Sequence, residues 1–280
     1  MTIAQVIELI KRRHAPYPPD TCDTVKIGDD SQICTGIVTT CFASVDVIKR
    51  AADLGANLVI CHEPLFYSHE DQVDWLANNQ VYQQKAGLIQ NCGLVVWRDH
   101  DGLHGGTPDR KRSYMDMVFQ GIMMELDWEK YCVGFPKKPL AYEIPPVFAR
   151  DLTAELVEKM DLSGARIVGD PDTVVRRVLF CEHVRGDNQM GIEPDCDVIQ
   201  EVEEGHYDAL IPFEIVDWSL SAYVRDSAAL GMGKVIIELG HFNVEELAMC
   251  YMQKWLSRLL EDTVPVHFVQ SGDSFSYYIP

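Results

Sequence analysis

The feature that most restricts how this chain can fold is a pair of short, continuously apolar runs with a single helix between them. Residues 36–41 (GIVTTC) and 57–61 (NLVIC) have the β-branched, uninterrupted character of strands buried on both faces. Between them, Ser44 is placed to cap a helix whose apolar face is Val47, Ile48, Ala51 and Ala52 and which Gly55 terminates. Two strands joined by one crossover helix require parallel pairing. A third run, Gly93–Trp97, follows a helix expected through residues 70–90, with His69 and Glu70 at its solvated start. The first part of the chain therefore reads as an open α/β sheet, and in such sheets ligand sites form at the carboxyl ends of the strands.

Those ends are chemically unusual. The run at 57–61 finishes in His62-Glu63-Pro64, and the run at 93–97 finishes in Arg98-Asp99-His100-Asp101-Gly102-Leu103-His104-Gly105-Gly106. Thr107, with Pro108 at the first helical position, then predicts a long helix towards Leu126. At the N-terminus, Thr2 and Gln5 form a capping-box pattern ahead of a helix with Ile3, Val6, Ile7 and Ile10 on one face. The composition changes at Gly134-Phe135-Pro136-Lys137-Lys138-Pro139 and again at Pro145-Pro146, which places the start of a second domain near residue 127. Within it, residues 178–181 and 208–212 read as strands, the latter closing on Phe213-Glu214. Residues 234–239 form another, followed by Gly240-His241-Phe242 and a helix with Asn243 as cap, Glu246 as its reciprocal partner and Glu245 in the first turn. A last strand is expected at 264–269.

Charge and motif content exclude several functions. The 280 residues carry a formal net charge of -19 and a pI near 4.7, which opposes binding to nucleic acid. There is no charged-then-apolar leader and no apolar stretch of about 20 residues, so a cytoplasmic protein without a membrane partner is expected. The nine cysteines are scattered, contain no C-x-x-C pair, and read as buried thiols of a reducing compartment, Cys41, Cys61, Cys181 and Cys250 among them. No phosphate-binding G-x-x-x-x-G-K-[ST], nucleophile-elbow G-x-S-x-G, H-E-x-x-H or well-placed G-x-G-x-x-G is present.

The polar strand ends supply imidazoles and carboxylates, the donors that suit zinc, manganese, iron or magnesium. His62, Glu63, Asp101, His241 and Glu245 are the candidate ligands, with His100 and His104 beside Asp101. Two ions about 3.5–4 Å apart, bridged by carboxylates such as Asp101 and Glu245, could clamp a substrate and acidify a bound water. Taken singly, each histidine is more simply a surface or core residue. It is the recurrence of the pattern at successive strand ends that points to metal. Trp97 and Phe66 read as packing residues, and Arg110-Lys111-Arg112 as a helix surface with the alternative of holding an anionic substrate.

Three segments in order, GANLVICHEPLFY, HDGLHGG and LGHFNVEE, resemble the motifs of the Nif-three-like dinuclear metal-centre proteins, some bacterial members of which are named as type-two GTP cyclohydrolase homologues. The resemblance implies metal ligation by His62, Glu63, Asp101, His241 and Glu245, two divalent ions per chain, two linked α/β domains with the metals in the cleft between them, and a homo-hexamer. It also implies one domain from residues 1–126 plus 232–280 around an inserted domain at 127–231. Glu63 stands where the family usually has a second histidine, a change that should favour manganese, iron or magnesium over zinc. Trp97 stands where relatives often carry histidine, and either His100 or His104 could replace it. Glu214 matches an acidic residue near the family's site. Two functions follow as expectations. One is a metal-dependent hydrolase of a small phosphorylated or heterocyclic, nucleotide-like substrate with Glu63 or Glu214 as proton carrier. The other is a non-catalytic metal-binding, metal-delivery or regulatory protein.

Overall fold

The computed structural model describes residues 1–108, 114–133, 140–184 and 196–278. Arg110-Lys111-Arg112 and the stretch at 134–139 lie outside the described residues. Backbone contacts divide the chain into two compact units, Met1–Glu125 with Glu246–Gly272, and Leu126–Glu245 with Asp273–Pro280.

The first unit opens with α1 (Ile3–Lys11), whose start is fixed by the reciprocal Thr2 and Gln5 hydrogen bonds of a capping box. There follow β1 (Val25–Ile27), β2 (Ile37–Thr40), α2 (Val45–Asp53), β3 (Leu58–Cys61), α3 (Gln80–Asn91), β4 (Val95–Arg98), the short α4 (Asp101–Gly105), a two-stranded ladder of β5 (Thr107–Pro108) and β6 (Tyr114–Met115), and α5 (Met117–Glu125). Strands β2, β3 and β4 pair in parallel, and every residue of the three is buried. Ser44 accepts the Val47 amide at the start of α2, and Gly55, at φ +69°, ends it. The apolar face of α2 is Val47, Ile48 and Ala51; Ala52 points to solvent. These residues pack with Val38, Val59, Val96, Leu65 and Ile89 into one core.

Three local expectations are corrected. No helix begins at His69 and Glu70: a single 3-10 turn covers Asp74–Leu76, α3 starts only at Gln80, and the His69 carbonyl accepts instead from the Arg98 guanidinium. Nor does a helix begin at Thr107. Gly106 turns at φ +78° with the Met115 carbonyl against its α carbon, so the chain enters the β5–β6 ladder and resumes helix after Asp116.

The second unit contains β7 (Ala141–Phe148), α6 (Ala149–Lys159), β8 (Arg166–Gly169), β9 (Val174–His183), α7 (Cys196–Glu204), β10 (Ala209–Glu214), α8 (Leu220–Ala229) and β11 (Val235–Glu238). Its sheet runs β7-β9-β10-β11-β8, with the central three strands parallel and the outer two antiparallel. The strand at 235–238 was expected with the N-terminal domain; it pairs instead between β10 and β8. The last helix, α9 (His241–Leu259), gives its residues to Glu245 to the second unit and the remainder to the first, where β12 (Val266–Phe268) adds to β2. The first sheet is therefore β1-β4-β3-β2-β12.

The start of α9 is the third of the local corrections. Asn243 is inside the helix and donates to the Leu239 carbonyl at 2.7 Å, and Glu246 accepts the Cys41 amide at 2.8 Å and the Ser271 amide at 3.0 Å, so the two do not form a capping box. Among the described residues no disulfide forms, and no helix is long and apolar enough to cross a membrane.

Candidate metal centres

In the first unit, β3 delivers His62 and β4 leads into His100 and His104. The His62 amide donates to the Cys41 carbonyl at 3.0 Å, which carries the sheet ladder one step past the strand end and buries the imidazole completely. The segment after β4 is held from a distance: Asp23 accepts the amides of His100, Asp101 and Gly102 at 2.8, 3.1 and 2.8 Å. This carboxylate caps α4 from another part of the chain. The result is a cluster in which the rings of His62 and His100 stack at 4.7 Å, those of His62 and His104 lie at 5.2 Å, and those of His100 and His104 at 4.8 Å. A ring nitrogen from each of the three lies within 4.8 Å of the others. The exposed His69 borders the cluster, its ring 5.3 Å from that of His100.

Asp101 sits beside this cluster with both oxygens engaged. Oδ1 is 3.0 Å from His100 Nδ1, and Oδ2 accepts the Thr21 hydroxyl at 2.8 Å and the Cys22 amide at 3.1 Å. Burial alone would raise the Asp101 carboxyl, but the bonds from His100 and Thr21 prevail and hold it below the usual carboxylate range. Burial, reinforced by the neighbouring His62 and His104, pushes His100 far below the usual imidazole range, so its ring is neutral and keeps a lone pair. Glu63 is half-buried just past the strand end, its amide donating to the Cys41 carbonyl at 2.8 Å.

In the second unit the parallel register sets Glu214, at the end of β10, opposite His183, at the end of β9. Glu214 Oε1 is 2.9 Å from His183 Nδ1, and Oε2 is 3.0 Å from His241 Nδ1. His241 and Glu245 are four residues apart on α9, with His241 Nε2 3.0 Å from Glu245 Oε2. Burial would raise Glu214, yet the two imidazoles outweigh it and hold the carboxyl far below its ordinary value. Phe213 stacks on His241 with ring centroids 5.7 Å apart.

The donor set of each unit suits a divalent transition-metal ion: imidazoles turned to oxygen acceptors and carboxylates anchored by hydrogen bonds, with the Cys22 thiol also within 4.8 Å of His100 and Asp101 donor atoms in the first unit. His62, Glu63 and Asp101 belong to the first unit, and His241 and Glu245 to the second. Trp97 is a fully buried β4 residue paired with Ile60, so it packs and offers no ligand. Sequence reading missed His183, although Cys181-Glu182-His183 repeats the apolar-then-polar ending seen in the other strands. It also missed Asp23 and Asp116, whose roles depend on partners distant in the chain.

No protein-family profile matches the chain. It is 22% identical over 266 residues to a Clostridium perfringens protein named GTP cyclohydrolase 1 type 2 homolog, spanning 90% of this chain and 89% of that one. Its fold is similar to that of the Staphylococcus aureus hypothetical protein SA1388, with a TM-score of 0.69, 16% identity and 99% of both chains covered. A Bacillus cereus protein related to NIF3 superposes with a TM-score of 0.67 at 14% identity, again over 99% of both chains. The class defined is thus the mixed α/β fold of NIF3-like proteins. The resemblance first read from three motifs extends over nearly the whole chain.

Proposed function

We propose that the protein is a divalent-metal-dependent hydrolase of a small phosphorylated or heterocyclic, nucleotide-like substrate, and that it carries about two ions per chain. The ligands are drawn from the imidazole and carboxylate groups of each unit: His62 with its neighbours Glu63 and Asp101 in the first, His241 and Glu245 in the second. The observation that carries the reading is the Glu214 carboxylate shared between His183 and His241, 2.9 and 3.0 Å away. A carboxylate that fixes the Nδ1 proton of a histidine sets its tautomer and aims its other nitrogen, the arrangement that supports metal ligands in catalytic centres. When bound, a divalent ion supplies Lewis acidity that polarises a carbonyl or phosphoryl oxygen and acidifies water. The chain's own part is to orient: Glu214 holds His241, and His183 holds Glu214.

A cavity of about 250 Å³ lined by His183, Cys181, Leu140, Leu179 and Val198 adds space for a small molecule beside this pair. The name of the Clostridium relative makes GTP and other purine nucleotides the first substrates to try. The test is a screen of nucleoside phosphates and heterocycles with the zinc-, manganese- and iron-loaded protein. Turnover that disappears on chelation and in Glu214→Gln supports the hydrolase. Ion binding without turnover of any candidate favours the metal-delivery or regulatory reading. The family's ring-like assembly is proposed for this chain as well, and sedimentation should then give a particle several times 31.7 kDa, against a monomer if it is absent.

A further inference from the structure

Each imidazole of the first cluster is oriented by its own acceptor. His62 Nδ1 lies 3.2 Å from the Asp99 carbonyl, His100 Nδ1 lies 3.0 Å from Asp101 Oδ1, and His104 Nδ1 lies 3.0 Å from Asp116 Oδ2. A carbonyl or carboxylate oxygen only accepts, so Nδ1 is the donor in all three rings and Nε2 is the nitrogen not engaged by that acceptor. The acceptors are themselves fixed. Asp116 Oδ1 caps α5 by accepting the Val118 amide at 2.9 Å, and Asp101 Oδ2 is held by Thr21 and Cys22. Three rings within 4.7–5.2 Å of one another, each with its Nδ1 turned to an oxygen acceptor, form a seat for one cation.

We propose that His62, His100 and His104 together bind one zinc-class ion through their Nε2 atoms, with Asp101 orienting His100 and not ligating the ion. This rests on the metal-dependent reading above and sharpens it. It replaces, for the first unit, the ligand set named above and implied by the motif resemblance, in which Asp101 itself is a ligand. Three nitrogen ligands leave a fourth tetrahedral position open. Access to it runs past His100 and His104, whose side chains are 19% and 28% exposed, while His62 forms the buried floor. An all-imidazole seat prefers zinc, cobalt or nickel to magnesium and manganese, so this ion's selectivity is opposite to the one that Glu63 alone suggested.

The experiment titrates zinc and, separately, cobalt into the chelator-stripped intact chain, following affinity and the visible absorption of bound cobalt. It uses wild type, His100→Ala, His104→Ala, Asp101→Asn and His241→Ala, with circular dichroism and melting for each. His104→Gln, which keeps more of the side-chain volume, replaces His104→Ala if the latter does not fold. The expected result is that His100→Ala and His104→Ala each weaken one zinc site by more than about 100-fold and abolish its cobalt band. Asp101→Asn should weaken it by about 10–100-fold and keep the band, as loss of an orienting partner does. The proposal is overturned if Asp101→Asn removes the ion while both histidine variants bind as wild type does. It is overturned, with the metal-dependent reading intact, if every first-unit variant retains all ions and only His241→Ala loses one. A wild-type chain that binds neither zinc nor cobalt refutes both.

Discussion

The carboxylate of Asp23 accepts the backbone N–H of Gly102 at 2.8 Å, joining residues 79 positions apart in the chain. With the further bonds from the His100 and Asp101 amides, Asp23 sets the direction of the segment that carries His100 and His104. Removing it leaves three amides at the start of α4 without their acceptor. Asp23→Ala should therefore lower stability by about 1–3 kcal/mol. It should also weaken zinc binding at the first cluster, whereas a variant at an exposed carboxylate such as Asp46 should do neither. Denaturant unfolding and zinc titration of the two variants check this, and equal behaviour would contradict it.

Gly102 itself allows no side chain. An added β carbon would meet Asp99 Oδ1 at 2.6 Å and His14 Cδ2 at 2.7 Å, both part of buried structure. Gly102→Ala should lower the melting temperature by several degrees, the shift that about 1–3 kcal/mol of overpacking gives in a protein of this size. Gly87→Ala, on α3 where nothing lies within 4 Å, should leave it unchanged or raise it slightly.

Lys85 offers a pH test at a group outside both histidine clusters. It is 2% exposed, donates to the Leu65 carbonyl at 2.8 Å and lies over the Phe42 ring at 4.4 Å. Burial pulls its ammonium down from 10.5 to about 8, against smaller opposing effects of Cys61 and Asp71. Between these two values the unfolded chain holds the proton that the folded chain has released, so this group makes stability rise with pH from about 8 to 10.5. The difference in unfolding free energy between wild type and Lys85→Met should increase over that range. A difference that stays flat or falls would contradict the assignment.

Glu214 gives the opposite window. Its carboxyl is held below its ordinary value by His183 and His241, despite burial, so its contribution is present above the unfolded carboxylate range and is lost as pH falls through the folded value. Acid unfolding followed by circular dichroism should show a shallower loss of stability below about pH 4.3 in Glu214→Gln than in wild type. Parallel curves would mean that the carboxylate is not held as described.

What the sequence made legible was local. The strand-helix-strand unit around Ser44 and Gly55, the capping box at Thr2 and Gln5, and the polar endings at His62, His100, Glu214 and His241 are all set by residues within a few positions of one another. What it hid was either non-local or decided by backbone conformation. Asp116 was invisible as the partner of His104 because a helix was expected to run through it, and Gly106, turned to φ +78°, is what prevents that helix. His183 was hidden because its meaning lies in the register of β9 against β10, which brings it opposite Glu214. The surroundings of Asp101 were hidden for a related reason. Its engagement by Thr21 and Cys22 spans about 80 residues and leaves no trace in the local motif.

The central claim is that these histidine and carboxylate groups hold divalent ions, and the most direct test is the metal content of the intact chain. Protein purified without chelators, stripped, dialysed against zinc and then against metal-free buffer should retain about two ions per chain by elemental analysis. It should lose one when His104 is replaced by alanine and one when His241 is. Retention of no ion by the folded wild-type protein would contradict the account.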